Sequence, residues 1–196
     1  MSQSTLVPLS EAQCNTNALS EVLVTFFEDS AILRNTLVPQ LSSHLRQSTT
    51  SSISSYSQLI DVALGIISTW DDPLKAEFIE GHPRIGEQKG LSHLSAKEQA
   101  AVATRPEVLL RLAHLNQCYE HRYHGLRYIT FVNGRPREMI VKEMEGVLGF
   151  GSGDVPNVDG LGQVEKGGEA WREELERAVY DVGQIAKSRL KALGVE

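Results

Sequence analysis

Residues 80–99 read EGHPRIGEQKGLSHLSAKEQ, and the rest of the chain is organised around this stretch. It places His82 on a glycine–proline turn and then runs through a polar loop into a predicted helix start that carries Glu98. Histidine and glutamate are among the side chains that most often act as general acids and bases. The segments on either side have the apolar spacing of helices, so they can hold these two groups together.

Composition limits the class of protein. The chain has 196 residues, which suits one domain, and its 41% hydrophobic and 22% charged content is ordinary for a globular protein. The net charge of −6 argues against a broad electrostatic surface for nucleic acid. Cys14 and Cys118 fit no metal or redox spacing, so we predict free thiols in a reducing compartment. No apolar run reaches the roughly 20 residues that a membrane-spanning helix needs.

The two chain ends give an expectation about location. The N-terminal Met-Ser-Gln-Ser-Thr lacks the basic and apolar regions of a secretory signal. The C-terminal Gly194-Val195-Glu196 is not the Ser-Lys-Leu tripeptide of peroxisomal import. We therefore expect a cytoplasmic protein, with a peroxisomal location as the alternative that no C-terminal tripeptide supports.

Helical periodicity dominates the chain and predicts an all-α protein with seven or eight helices. Residues 1–16 are predicted to be a polar lead-in, and residues 17–196 a single helical domain. The last predicted helix, 169–193, has the clearest pattern, because acidic residues occupy its first turns and basic residues its last turns. Its apolar positions at helical spacing are Trp171, Leu175, Ala178, Val182, Ile185 and Ala186.

Three segments interrupt the helical pattern. Residues 42–57 are rich in Ser and Thr and are predicted to be a loop after a short helix that ends near Pro39. Residues 126–132 alternate and contain β-branched and aromatic side chains, which predicts one short extended segment closed by an Asn133-Gly134 turn. Residues 149–168 are glycine-rich and are predicted to be a loop beside the body of the fold.

His82 and Glu98 each have a functional and a structural interpretation. Histidine titrates near neutral pH, and Pro83 fixes the backbone directly after it, which suits an acid/base group held on a turn. A turn histidine without a role is the alternative. Residues 95–98 fit the Ser-x-x-Glu capping box, in which Glu98 bonds back to the start of its own helix. The sequence alone leaves both alternatives open.

Other polar side chains were weighed for metal and anion binding. His114 and His121 could share a helix face, but no His-Glu-x-x-His pattern or completing carboxylate is present, so we predict no metal site. Several arginines lie before and after the extended segment. They are either solvent-exposed charges or a binding site for a carboxylate, because a guanidinium can donate two hydrogen bonds to its two oxygens. These arginines are Arg122, Arg127, Arg135 and Arg137.

Residues 82–86, His-Pro-Arg-Ile-Gly, followed by residues 95–99, Ser-Ala-Lys-Glu-Gln, resemble the signature of the OHCU decarboxylase family (2-oxo-4-hydroxy-4-carboxy-5-ureidoimidazoline decarboxylase). The resemblance extends over about residues 26–189, and Asn133-Gly134-Arg135 is similar to the longer, fungal-type members. Three further segments match the family in order: 26–30, 116–123 and 126–132.

The resemblance implies an all-helical enzyme, a homodimer, that needs no metal and no organic cofactor. It implies a carbon–carbon lyase, a carboxy-lyase, that decarboxylates OHCU to (S)-allantoin in urate breakdown. The expected partner is this small substrate, with no nucleic acid and no membrane. By the same resemblance, residues 17–196 would be the decarboxylase domain.

The resemblance also assigns site residues. His82 would be the catalytic acid/base, and Glu98 would contact and orient the substrate at its polar edge. Backbone groups from Ile129 to Asn133 would bind the ring. The residues assigned to substrate binding are Pro83, Ser95, Gln99, Ile129, Thr130, Phe131, Val132, Asn133 and Arg137.

One departure from the family bears on activity. Members carry an arginine in a Leu-x-x-Arg segment that faces the substrate carboxylate, whereas residues 144–148 here read Met-Glu-Gly-Val-Leu. Either Arg137 or Arg135 supplies the charge, or the carboxylate is not gripped. The second case predicts a non-catalytic helical domain that binds a ligand or partner.

Overall fold

All regular secondary structure in this computed structural model is helical, so the predicted all-α class is confirmed for the part of the chain that is described. None of these residues lies in a β-strand. The described residues are 6–47, 53–87, 94, 96, 104–151 and 154–195.

Eight α-helices lie within these ranges. They are α1 (Leu9–Cys14), α2 (Thr16–Phe27), α3 (Val38–Gln47), α4 (Tyr56–Ser68), α5 (Asp72–Glu80), α6 (Pro106–Arg122), α7 (Arg137–Leu148) and α8 (Glu169–Leu193). Leu33–Leu37 is π-helical, and Val158–Gly160 is a short 3-10 turn. The chain divides into two compact units, and the boundary falls within α8: residues 1–81 with 182–196 form the first unit, and residues 82–181 form the second.

Aromatic rings from three helices build the core of the first unit. Phe26 and Phe27 end α2, and their ring centroids lie 6.2 Å from Tyr56 and 6.0 Å from Phe78 respectively. Trp70 meets Phe78 edge-on with centroids 6.0 Å apart. Tilted and edge-on pairs of this kind add attraction beyond simple burial. The apolar residues of α2, which recur at helical spacing, are therefore buried in this core.

A buried ion pair joins the end of α2 to α8 within the first unit. The carboxylate of Glu28 lies 2.5 Å from Nη2 of Arg189, whose Nη1 donates to the carbonyl of Phe26 at 3.1 Å. Glu28 is 5% exposed and Arg189 is 4% exposed. Glu28 also has φ of 70° and ψ of 153°, a conformation that side chains other than glycine rarely adopt. The ion pair therefore holds a strained residue in place. Removing either partner would leave a buried charge unpaired and would lower the stability of the fold.

The helix after Ser30 differs from its prediction. Pro39 does not end a short helix; the chain passes through the π-helical stretch and continues as α3 to Gln47. Proline lacks an N–H and its ring crowds the carbonyl four residues back, so a widened turn just before Pro39 accommodates it. The predicted loop 42–57 is accordingly wrong for residues 42–47 and for residues 56–57, which are helical.

The polar lead-in contains a helix that the sequence pattern did not predict. Helix α1 buries Ala12, and Gln13 donates to the carbonyl of Ile53 at 2.7 Å. The hydroxyl of Tyr56 donates to the carbonyl of Val7 at 2.6 Å. These two contacts span 40 and 49 residues of sequence, so no local pattern could reveal them.

In the second unit, α6 and α7 run in the same direction. Arg105 lies 3.5 Å from Glu138, and Arg111, further along α6, lies 2.7 Å from Glu145, further along α7. The described part of the glycine-rich segment 149–168 has only the 3-10 turn as regular structure. Within the described ranges, no helix is both long enough and apolar enough to cross a membrane.

Candidate active site

His82 is the first residue after the glycine that ends α5. The N–H of Gly81 bonds to the carbonyl of Glu77 at 3.2 Å, which closes the helix. A Cβ at Gly81 would lie 2.8 Å from Cβ of Ser30, so only glycine fits here without displacement. His82 itself is 5% exposed. The histidine is thus buried, and the residue before it lies close to the side chain of Ser30.

The chain then makes a β-turn over residues 84–87. The N–H of Glu87 bonds to the carbonyl of Arg84 at 3.1 Å, and the N–H of Arg84 donates to the Glu87 carboxylate at 2.9 Å. Gly86, the third residue of the turn, has φ of 82°, which a type II turn requires and which glycine tolerates. The turn after His82 is therefore closed by two hydrogen bonds.

Helix α6 holds this turn through side chains that share one face. Nε and Nη2 of Arg84 bond to the two oxygens of Glu120 at 2.6 and 2.9 Å. One helical turn earlier, Nδ2 of Asn116 donates to the carbonyl of Ile85 at 3.0 Å. Asn116 is buried, so this hydrogen bond is shielded from water.

Two further contacts complete the attachment of the turn. A Cβ on Gly86 would lie 3.1 Å from Cδ1 of Leu112, which is four residues before Asn116 on α6. At the other end, Nη1 of Arg127 donates to the carbonyl of His82. We call Leu112, Asn116 and Glu120 the α6 face. The turn is therefore attached both at the histidine and beyond it.

The segment from Ile129 to Val132 is neither helix nor strand, as predicted for an extended connection. Its carbonyls are bonded to two arginines. Nη1 of Arg177 donates to Ile129 at 2.7 Å, and Arg135 donates to Phe131 at 2.7 Å and to Val132 at 3.1 Å. The N–H groups of this segment donate to no other described residue. Asn133 and Gly134, with φ of 46° and 73°, form the predicted turn after it.

A carboxylate cluster anchors the same segment through its side chains. One oxygen of Glu143 accepts from the hydroxyls of Tyr128 at 2.6 Å and Thr130 at 2.7 Å, and the other accepts from Arg135. Burial raises the pKa of Glu143, but these hydroxyls and the guanidinium outweigh it, so the net pKa lies below the usual value. Glu143 therefore stays ionised.

A second carboxylate cluster surrounds Arg177 on α8. Tyr119 donates to Glu174 at 2.8 Å, Arg177 lies 2.6 Å from the same oxygen, and Arg177 also lies 2.8 Å from Asp181. The Arg177 guanidinium carbon lies 5.1 Å from the centre of the Tyr128 ring. Burial raises the pKa of Asp181 although Arg177 opposes that shift. The two clusters hold the extended segment in place through the side chains of Tyr128 and Thr130 and the carbonyls of Ile129 and Phe131.

Stability should fall as the pH rises above about 10, the ordinary tyrosine pKa. Burial, together with Glu174 and Glu143, raises the pKa of Tyr119 and Tyr128. The folded protein then keeps phenolic protons that the unfolded chain loses, so unfolding is favoured by up to about 1.4 kcal/mol per pH unit for each tyrosine. Urea titrations at increasing alkaline pH measure this slope.

Tyr128→Phe should reduce that slope, because phenylalanine has no phenolic proton and only Tyr119 of the two tyrosines then contributes. Tyr180→Phe is the matched control, since Tyr180 is 66% exposed. An unchanged slope in Tyr128→Phe would contradict the assignment.

Not every predicted site residue can be located. Ser95, Glu98 and Gln99 lie outside the described residues. Pro83 is half-buried directly after His82, and Arg137 is buried at the start of α7. Arg127, whose side chain donates to the carbonyl of His82, lies two residues before the predicted ring-binding segment.

Residues 144–148, where the resemblance predicts an arginine, contain the buried Glu145. Nε and Nη2 of Arg111, on α6, both bond to one oxygen of Glu145, at 2.9 and 2.7 Å. Nη1 of Arg111 is buried and has no acceptor among the described residues. Arg135, one of the two predicted substitutes, uses all three nitrogens on Glu143, Thr130 and backbone carbonyls. An arginine thus reaches this stretch, but from α6.

The two histidines of α6 have protein contacts. Nε2 of His114 lies 3.4 Å from Sγ of Cys118, and Nε2 of His121 lies 3.2 Å from the carbonyl of Leu161. Burial raises the pKa of the Cys118 thiol, which keeps it protonated. No group of three potential ligands suited to a metal occurs among the described residues.

Sequence reasoning gave no individual role to Asn116, Glu120 or Arg127. A signal for the first two was present, since Leu112, Asn116 and Glu120 repeat every four residues and therefore share a helix face. Arg127 was noted only as one of several arginines. Its bond to a backbone carbonyl depends on the fold and leaves no mark in the sequence.

The structure is that of a helical protein in which a buried histidine, His82, lies on a turn closed by hydrogen bonds, and this histidine is the candidate acid/base. The family profile named OHCU decarboxylase matches residues 12–149, which is more than half of the chain, so the chain belongs to the OHCU decarboxylase family. A comparison with curated proteins found no match. Membership supports a role in decarboxylation within purine catabolism.

Proposed function

We propose that the protein decarboxylates OHCU to (S)-allantoin without a cofactor, with His82 as the acid/base. The observation that carries the proposal is the buried His82, held at its own carbonyl by Arg127 and followed by a closed turn. A histidine that must give and take a proton near neutral pH needs such a fixed position relative to its substrate.

The chemistry requires one proton in one place. When the carbon–carbon bond to the carboxylate breaks, CO₂ leaves and the electron pair remains on the substrate ring. One proton must then reach a ring carbon from a single face to give one enantiomer. His82 delivers that proton, and polar groups around the ring stabilise the charge until it arrives.

The extended segment supplies contacts to the ring. The carbonyls of Ile129, Phe131 and Val132 already accept from Arg177 and Arg135, which hold the segment in place. Its backbone N–H groups donate to no other described residue. They are suited to donate to the carbonyl oxygens of the OHCU ring and of its ureido group. By the family resemblance, Glu98, with Ser95 and Gln99, orients the substrate at its polar edge.

The substrate carboxylate needs a positive partner. Arg137 is our first candidate, because it is buried at the start of α7. Arg111 is the second, because its Nη1 is buried without an acceptor among the described residues. The buried Glu145 in place of the family arginine favours the alternative, a domain that binds a ligand without catalysis.

Allantoin formed from freshly generated OHCU decides between these functions. The enzyme should accelerate the loss of CO₂ and give the (S) enantiomer of allantoin, which circular dichroism detects. Uncatalysed protonation occurs from both faces of the ring and gives a racemate. Racemic product at the uncatalysed rate would reject catalysis. Saturable binding of a stable ring analogue, without turnover, would then support the binding domain.

A further inference from the structure

We propose that Glu120 and Asn116 are positioning residues for His82, and that the α6 face sets where the histidine lies. The inference rests on the function proposed above, since it concerns how the acid/base group is placed. The described hydrogen bonds of both side chains go to residues other than His82. Both act on the residues that follow it, Arg84 and Ile85.

The contacts follow a regular order. Leu112, Asn116 and Glu120 meet Gly86, Ile85 and Arg84 respectively, so successive turns of α6 hold successive residues of the His82 turn in reverse order. Residues four apart on a helix lie on the same face, which makes this arrangement a direct consequence of the sequence spacing. The turn cannot slide along α6 without breaking all three contacts.

The position of Arg84 is transmitted to His82 over one residue. Only Pro83 separates them, and its ring fixes φ, so the chain has little freedom to absorb a shift. On the other side, Arg127 holds the carbonyl of His82. The histidine is therefore placed between two attachments, one from α6 and one from the start of the extended segment.

Breaking the Arg84–Glu120 pair should change the position of His82 but should change the free energy of unfolding only a little. The side chains of Arg84 and Glu120 are 42% and 29% exposed, and ion pairs with that exposure contribute little to stability. A displacement of about 1 Å at a reacting group can lower a rate on the order of 100-fold. Losing the Glu120 pair should thus affect turnover far more than folding.

Glu120→Gln is the main variant, and Glu107→Gln is its control. Glu107 also lies on α6 and pairs with an arginine, Arg105, at 3.2 Å, but in the described part of the chain neither residue is bonded to residues 82–87. With OHCU as substrate, we expect Glu120→Gln to lower kcat about 10- to 100-fold and to leave KM within about twofold. The melting temperature should change by only a few degrees, and Glu107→Gln should match the parent protein.

A second measurement does not need turnover. The imidazole proton signals of His82, assigned by their loss in His82→Gln, should shift in Glu120→Gln and in Asn116→Ala but not in Glu107→Gln. Unshifted His82 signals in both variants would overturn the positioning role, whatever happens to kcat. Shifted signals in a protein that does not turn over OHCU would support the positioning role and reject the proposed function.

Discussion

Replacing His82 with glutamine should abolish the accelerated formation of (S)-allantoin from OHCU. General acid/base catalysis by one positioned side chain typically contributes about 10²- to 10⁴-fold, and glutamine cannot transfer the proton. His82 is buried, follows Gly81 at the end of α5 and is held at its backbone, so the substitution removes a proton donor with little change to the turn. Circular dichroism of the product and the initial rate of CO₂ release measure the effect.

The control for this variant is His44→Gln. His44 lies exposed on α3, in the first unit, away from the His82 turn in sequence. It should retain the parent rate, and both variants should keep the helical signal. A His82→Gln protein that still produced (S)-allantoin at the parent rate would refute the acid/base assignment while leaving family membership untouched.

Arg189→Met should lower the free energy of unfolding by about 3–5 kcal/mol, the usual cost of leaving one charge of a buried pair without its partner. The variant leaves the carboxylate of Glu28 in the interior of the first unit, at a residue whose backbone is already strained. It also removes the donor to the Phe26 carbonyl. Urea unfolding at neutral pH measures the loss.

Lys187→Met provides the matched control on the same helix. Lys187 pairs with Asp61 at 2.7 Å, but the two side chains are 44% and 54% exposed, so the expected cost is at most about 1 kcal/mol. Adding Glu28→Gln to Arg189→Met should recover part of the lost stability, because the isolated charge disappears. Equal losses for Lys187→Met and Arg189→Met would show that burial does not decide the cost.

Much of the fold could be predicted because periodicity and end signals agree in the longer helices. Helix α6 begins at Pro106 and α7 follows Pro136, and α8 carries an uninterrupted apolar stripe. The prediction failed where packing overrides composition. Ser42, in the segment predicted to be a loop, is buried in α3, and its hydroxyl lies 3.2 Å from that of Thr16. Contacts of this range cannot be read from serine content.

The candidate site could be predicted in part for a similar reason. Glycine and proline around His82 mark a turn, and that turn is present. The acceptor that each arginine binds could not be predicted, because it depends on which oxygen atoms the fold brings close to the guanidinium. Arg135 was considered for a substrate carboxylate, but it is occupied by Glu143 and by carbonyls of the extended segment. The role of Glu98 stays a prediction, since it lies outside the described residues.

The α6 face imposes a constraint on length as well as on residue identity. Its three members stay aligned only while the helical phase between them is preserved, and one inserted residue would turn everything beyond it by about 100°. Such an insertion between Leu112 and Glu120 would direct Glu120 away from Arg84 without changing any side chain. In this helix the count of residues therefore matters as much as their chemistry.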